Sequence, residues 1–153
     1  MRPFVVLSAA LGALLVQPAS VRASACPEGV ARRLPVKAAI ERPFGFRLHL
    51  VMGVAVFQPS IMFRTSSGRV VKAMMGGRVT LLETKPHIGR FVWVLQRDGS
   101  ELRYGPLSHT HLHIGEWVLA GGQLGRTTSS AFMLAMRRGG KWIDPKSSLG
   151  CGG

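Results

Sequence analysis

"FVWVLQRDGSELRYGPLS", residues 91–108, decides the fold class. Phe91 to Leu95 is continuously apolar and rich in aromatic and branched side chains, which predicts a strand covered on both faces. Asp98-Gly99 is a strong signal for a two-residue hairpin turn. The run after it, "SELRYG", alternates polar and apolar residues as a returning strand would.

Working outward, the same punctuation recurs. "RVVKAMM" (69–75), "RVTLLE" (78–83) and "AFMLAM" (131–136) are short, apolar and separated by glycine pairs. Gly139-Gly140, between "AFMLAMRR" and "KWID", is a second hairpin signal. No helix-period segment of useful length follows residue 43. The pattern predicts an all-β domain, an antiparallel two-sheet sandwich or rolled barrel. Trp93 is expected in its core, while Trp117 and Trp142 could equally face a sugar or a partner.

The chain has 153 residues, enough for one domain. Its first 25 residues read as a secretory signal. Arg2 opens them, "FVVLSAALGALLV" (4–16) is a short apolar run, and "ASA" (23–25) is a small-residue cleavage pattern. That run is too short for a stable membrane span. The expected divisions are a signal at 1–25, a linker-like lead with a candidate short helix at 26–42, a β-domain at 43–149 and a tail at 150–153. Export to the periplasm or cell envelope follows, and nucleic acid is excluded as a partner.

The formal charge is +13, and removing the two arginines of the signal leaves +11. Outside the cytoplasm such a charge favours anionic lipids, lipopolysaccharide or cell-wall polymers. Cys26 and Cys151, near the two ends of the exported chain, are expected to pair in an oxidising compartment. Lipidation of Cys26 is the rival reading, opposed by Arg22 and the lack of Leu three residues upstream.

The motifs, in their order, resemble the lysostaphin/LytM-type zinc endopeptidases of peptidoglycan. "FGFRLH" (44–49) is similar to the family's opening F-G-x-R-x-H. "GRVVKAMMGGRV" (68–79) is similar to its G-x-x-V-x-A-x-x-x-G-x-V, and "LQRDGSELRYGPLS" (95–108) to its Y-x-H-L-S hairpin. "IGEWVLAGGQLGRTTSS" (114–130) and "RRGGKWIDPKSSL" (137–149) resemble its closing segments. The resemblance implies the duplicated hybrid motif fold and a groove for an extended peptide.

It also implies where zinc chemistry should sit. The first ligand pair falls on Gln58 and Met62, and the histidine after the tyrosine falls on Pro106. The H-x-H pair falls on Ala131 and Met133. None of these side chains is an imidazole or a carboxylate, so the resemblance implies a domain whose family site is degenerate. No cofactor is expected; thioethers at Met62 and Met133 suit Cu(I), but methionines also fill space left by a polar site.

"HTHLH" (109–113) offers a rival. On a strand His109, His111 and His113 would share one face and could hold a transition metal adventitiously. The expected setting is instead an edge strand with the histidines exposed or hydrogen-bonded. Three functional readings follow from all this. The first is an exported, non-catalytic domain that binds peptidoglycan, a cell-wall hydrolase or an envelope complex as scaffold or activator. The second is an active zinc endopeptidase with relocated ligands, and the third a structural subunit of a secretion or conjugation apparatus.

Overall fold

A computed structural model describes residues 34–149. The signal, Cys26 and Cys151 lie outside the described residues. The twelve strands described are β1 (Ala39–Arg42), β2 (Gly45–His49), β3 (Val54–Gln58), β4 (Ser60–Arg64), β5 (Val70–Lys72) and β6 (Gly77–Lys85), followed by β7 (Gly89–Gln96), β8 (Ser100–Leu107), β9 (Trp117–Val118), β10 (Gln123–Arg126), β11 (Ala131–Arg138) and β12 (Lys141–Ile143). A 3₁₀ turn at Pro145–Leu149 ends the described chain.

The fold is all-β and antiparallel. An eight-stranded sheet runs β1-β4-β11-β8-β7-β6-β9, and β12 takes over the β4 side of β11 from Met136 onward. β10 and β5 form a small second sheet, and β2 and β3 form a separate hairpin. Residues 39–42 sit in the expected lead but pair with β4 as a strand, not a helix. Ile40 lies opposite Phe63, and the register shifts at Glu41 before Arg42 meets Met62.

The central hairpin differs in detail from its sequence reading. Arg97, Asp98 and Gly99 form a three-residue loop, with Leu95 opposite Glu101 and Gly99 at φ +79°. The Asp98 carboxylate accepts from the Ser100 backbone N–H at 3.0 Å and the Ser100 hydroxyl at 2.6 Å, which stabilises the wider turn. Gly139-Gly140 is a true two-residue turn: both φ angles are positive, and Arg138 faces Lys141.

Alternation divides the large sheet into two faces. Val92, Val94, Leu102, Tyr104, Phe132, Leu134 and Met136 point inward and pack with Val71 and Leu124 of the small sheet. The buried Tyr104 hydroxyl accepts from the Met74 backbone N–H at 3.1 Å, and burial pushes its pKa up. Phe91, Trp93, Arg103, Met133 and Ala135 alternate with the core residues on the opposite face. Phe91 and Trp93 are buried there. Their cover is not a second sheet: the Arg103 guanidinium lies 3.9 Å from the Phe91 ring centre, and that of Arg137 lies 4.4 Å from Trp93. Leu95, at the strand end beyond these cations, is exposed.

Candidate functional site

The outer face of the large sheet holds a cavity of 220 Å³ lined by Gln58, Ser60, Phe91, Arg103, Met133 and Trp142, among others. Strand register builds it. Met133 of β11 lies opposite Gly105 on one side and Met62 of β4 on the other. One row along, Ala135 lies opposite Arg103 and Ser60. Gln58, at the end of β3, donates from its side-chain amide to the Ser60 hydroxyl at 2.8 Å. Trp142 of β12 leans over the same floor, its ring centre 6.3 Å from that of Trp93.

Cations organise the floor. Arg103 pairs with Glu83 at 2.9 Å, and Lys85 pairs with the same carboxylate at 3.4 Å. Burial works to raise the Glu83 pKa, but Arg103 and Lys85 outweigh it and hold the carboxyl below its usual range. Arg137 donates from Nε to Glu101 at 2.5 Å, which pushes the guanidinium pKa further up. These charges are paired and lie over aromatic rings, so they shape the floor more than they offer reactive groups.

The expected positions divide as follows. Gln58, Met62, Ala131 and Met133 come together: Gln58 and Met133 line the cavity, Met62 opposes Met133, and Ala131 shares the face of Met133 two residues away. Pro106 is buried in β8 directly after Gly105 and is not among the cavity's lining residues. The donor set is one amide oxygen and two thioethers. Zinc takes thiolate, imidazole or carboxylate ligands, so these residues do not fit it. Among the described residues no three His, Cys, Asp or Glu side chains gather to hold a metal ion.

"HTHLH" does not form the expected edge strand. Residues 109–113 are irregular, because local side chains take their backbone donors. Leu112 N–H bonds the Thr110 hydroxyl at 3.2 Å, and His113 N–H bonds the Glu116 carboxylate at 2.9 Å. All three histidines are exposed; His109 and His111 stack edge-on with ring centres 5.1 Å apart, while His113 leans toward Glu116 at 3.6 Å.

The sequence reading missed two contributors. Arg103 sits between the core residues Leu102 and Tyr104, and only strict alternation marks it as facing the cavity. The β2–β3 hairpin was legible only as a motif, yet it exposes Phe46, Leu48, Val54 and Val56 and leads straight into Gln58. At its tip Leu50 is 88% and Val51 92% exposed. Phe57 anchors its base between Phe44 at 5.3 Å and Phe46 at 5.1 Å.

Solved structures share this architecture. Csd3 of Helicobacter pylori superposes with a TM-score of 0.64 at 24% identity, over 74% of this chain and 33% of that one. The mutant catalytic domain of the prophage-encoded M23 protein EnpA from Enterococcus faecalis gives 0.65 at 22% identity, over 74% and 93%. A chain from the complex of SpoIIIAH and SpoIIQ gives 0.63 at 17% identity, over 76% and 98%. The chain thus spans about a third of the length of Csd3. No curated protein matches it in sequence. Residues 56–145 match the sequence model of peptidase family M23. That stretch covers more than half of the chain and contains β4 to β12 whole, so the protein belongs to peptidase family M23.

Proposed function

We propose that this protein is an exported, non-catalytic LytM-like domain that binds peptidoglycan, a cell-wall hydrolase or an envelope complex, as scaffold or activator. The observation that carries the reading is the opposed pair Met62–Met133, with Gln58 beside them on one face. In the register of the family resemblance these are the ligand positions. A hydrolase of this type needs three anionic or imidazole ligands and an open water position. Two thioethers and an amide supply neither, while the cavity beside them leaves room for part of an extended peptide.

A protein segment is favoured over a glycan as occupant of the groove's flank. The β2–β3 hairpin presents large apolar side chains, which bury well against apolar partners and poorly against sugars and charged peptides. The SpoIIIAH–SpoIIQ complex provides an example of a chain of this fold within a protein assembly.

The test combines two measurements on the purified exported chain. Bound zinc is quantified, and the chain is incubated with sacculi, alone and with added cell-wall hydrolases. The expected result is substoichiometric zinc and no muropeptide release by the chain alone. Binding to sacculi or stimulation of an added hydrolase should also weaken in Trp142→Ala. Stoichiometric zinc with muropeptides released by the chain alone would overturn the reading.

A further inference from the structure

A second cavity, of 680 Å³, lies away from the groove, between residues 34–37 and the small sheet. It is within the size range of small-molecule sites. Its walls follow from alternation in β5 and from an irregularity in β10. In β5, Val71 enters the core, so Val70 and Lys72 face outward; in β10, Leu124 enters the core, and a register shift between Gln123 and Gly125 leaves both Gln123 and Arg126 exposed. Register places Gln123 opposite Lys72, and Arg126 opposite Val70. Residues 34–37 lie along the free edge of β5, where Lys72 N–H bonds the Pro35 carbonyl at 2.8 Å. Lys37 and Arg69 complete the lining.

Four cations, Lys37, Arg69, Lys72 and Arg126, therefore surround one concavity that no acidic side chain lines. None of the four pairs with an acid among the described residues. Like charges so arranged repel one another unless an anion sits between them. The arginines are also held in place. Arg126 Nη1 donates to the Gly68 carbonyl at 2.8 Å, and Arg69 Nε donates to the Ser66 hydroxyl at 3.1 Å. The turn that accepts them is itself tied to β10, since the buried Thr127 hydroxyl donates to the Ser66 carbonyl at 2.6 Å and accepts from Arg69 N–H at 3.0 Å. A guanidinium has five N–H donors, so this anchoring leaves donors for a ligand.

We infer that this cavity is a binding site for phosphate groups, separate from the groove and independent of its reading. Two fixed guanidinium forks and two mobile ammonium groups match the tetrahedral oxygens of a phosphate better than a single carboxylate would require. The phosphate can be carried by a lipid headgroup or by a soluble compound, and the experiment separates these sources.

The probes are pyrophosphate, read by calorimetry at fixed low salt, and vesicles with or without phosphatidylglycerol, read by co-sedimentation. The exported chain is compared with Lys37→Gln/Lys72→Gln, with Lys37→Arg/Lys72→Arg, and with Arg78→Gln/Lys141→Gln, which removes two exposed charges elsewhere. The expected result is pyrophosphate binding weakened about tenfold in the first variant and changed less than about twofold in the other two. Vesicle binding lost in parallel identifies a headgroup phosphate. Vesicle binding equal in the two glutamine variants identifies a soluble one. No pyrophosphate binding by the parent chain, or equal weakening in both glutamine variants, would overturn the site.

Discussion

Met62 and Met133 face each other directly across the antiparallel strands β4 and β11. Cβ atoms in such a pair stand about 4.5–5.5 Å apart, close enough for side chains of suitable length to reach one ion. Gln58 joins them from the end of β3. The triple variant Gln58→His, Met62→Asp, Met133→His is therefore expected to bind one zinc ion per chain. Metal analysis after dialysis checks this. Hydrolysis is not expected to follow, because Pro106 and Ala131 still supply no imidazole. A folded triple variant without zinc would show that the proposed register is wrong.

Arg103 joins the two halves of the groove floor, over Phe91 and against Glu83. Arg103→Met keeps much of the apolar stem but removes the stacked cation and leaves Glu83 with Lys85 alone. The expected loss is about 2 kcal/mol in denaturant unfolding, and Arg103→Lys should recover only part of it. The Glu83 carboxyl has its pKa lowered from 4.5, so its share of stability is present above 4.5 and lost as pH falls through the depressed folded value. Glu83→Gln should flatten that acid limb. An unchanged limb would remove the ion pair from the account.

Replacing His109, His111 and His113 together by Gln is expected to shift stability by less than about 0.5 kcal/mol, since all three are exposed on an irregular segment. Thermal unfolding with and without added zinc or nickel reads it. A metal-dependent rise in Tm that the triple variant lacks would show that "HTHLH" holds a metal; a loss of envelope binding as well would make it a functional site.

Cys26 and Cys151 should form a disulfide in the exported protein. Closing so long a loop restricts the unfolded chain, by about 4–5 kcal/mol in the chain-entropy treatment. Non-reducing mass spectrometry should find the mass two hydrogens below the dithiol. Two free thiols, or a diacylglyceryl group on Cys26, would contradict the pairing.

Much of this protein was legible along the chain. Strand segments, the Gly139-Gly140 turn and the all-β class come from local alternation and turn chemistry, which a sequence displays directly. What Gln58, Met62 and Met133 can ligate is equally readable, because ligand chemistry belongs to residue type: none of them can supply an imidazole or a carboxylate in any fold. The tertiary structure alone decided what surrounds each side chain. Phe91 to Leu95 announces a covered strand, yet arginines from β8 and β11 cover its outer face, and nothing local to residues 91–95 specifies them. "HTHLH" alternates like a strand, but Thr110 and Glu116 capture its backbone donors. Lys37, Arg69, Lys72 and Arg126 look like scattered charges until a strand edge and one antiparallel register gather them. Register is the physical reason. It depends on pairing between distant segments, and a slip of one residue would send the strand side chains among these to the opposite face.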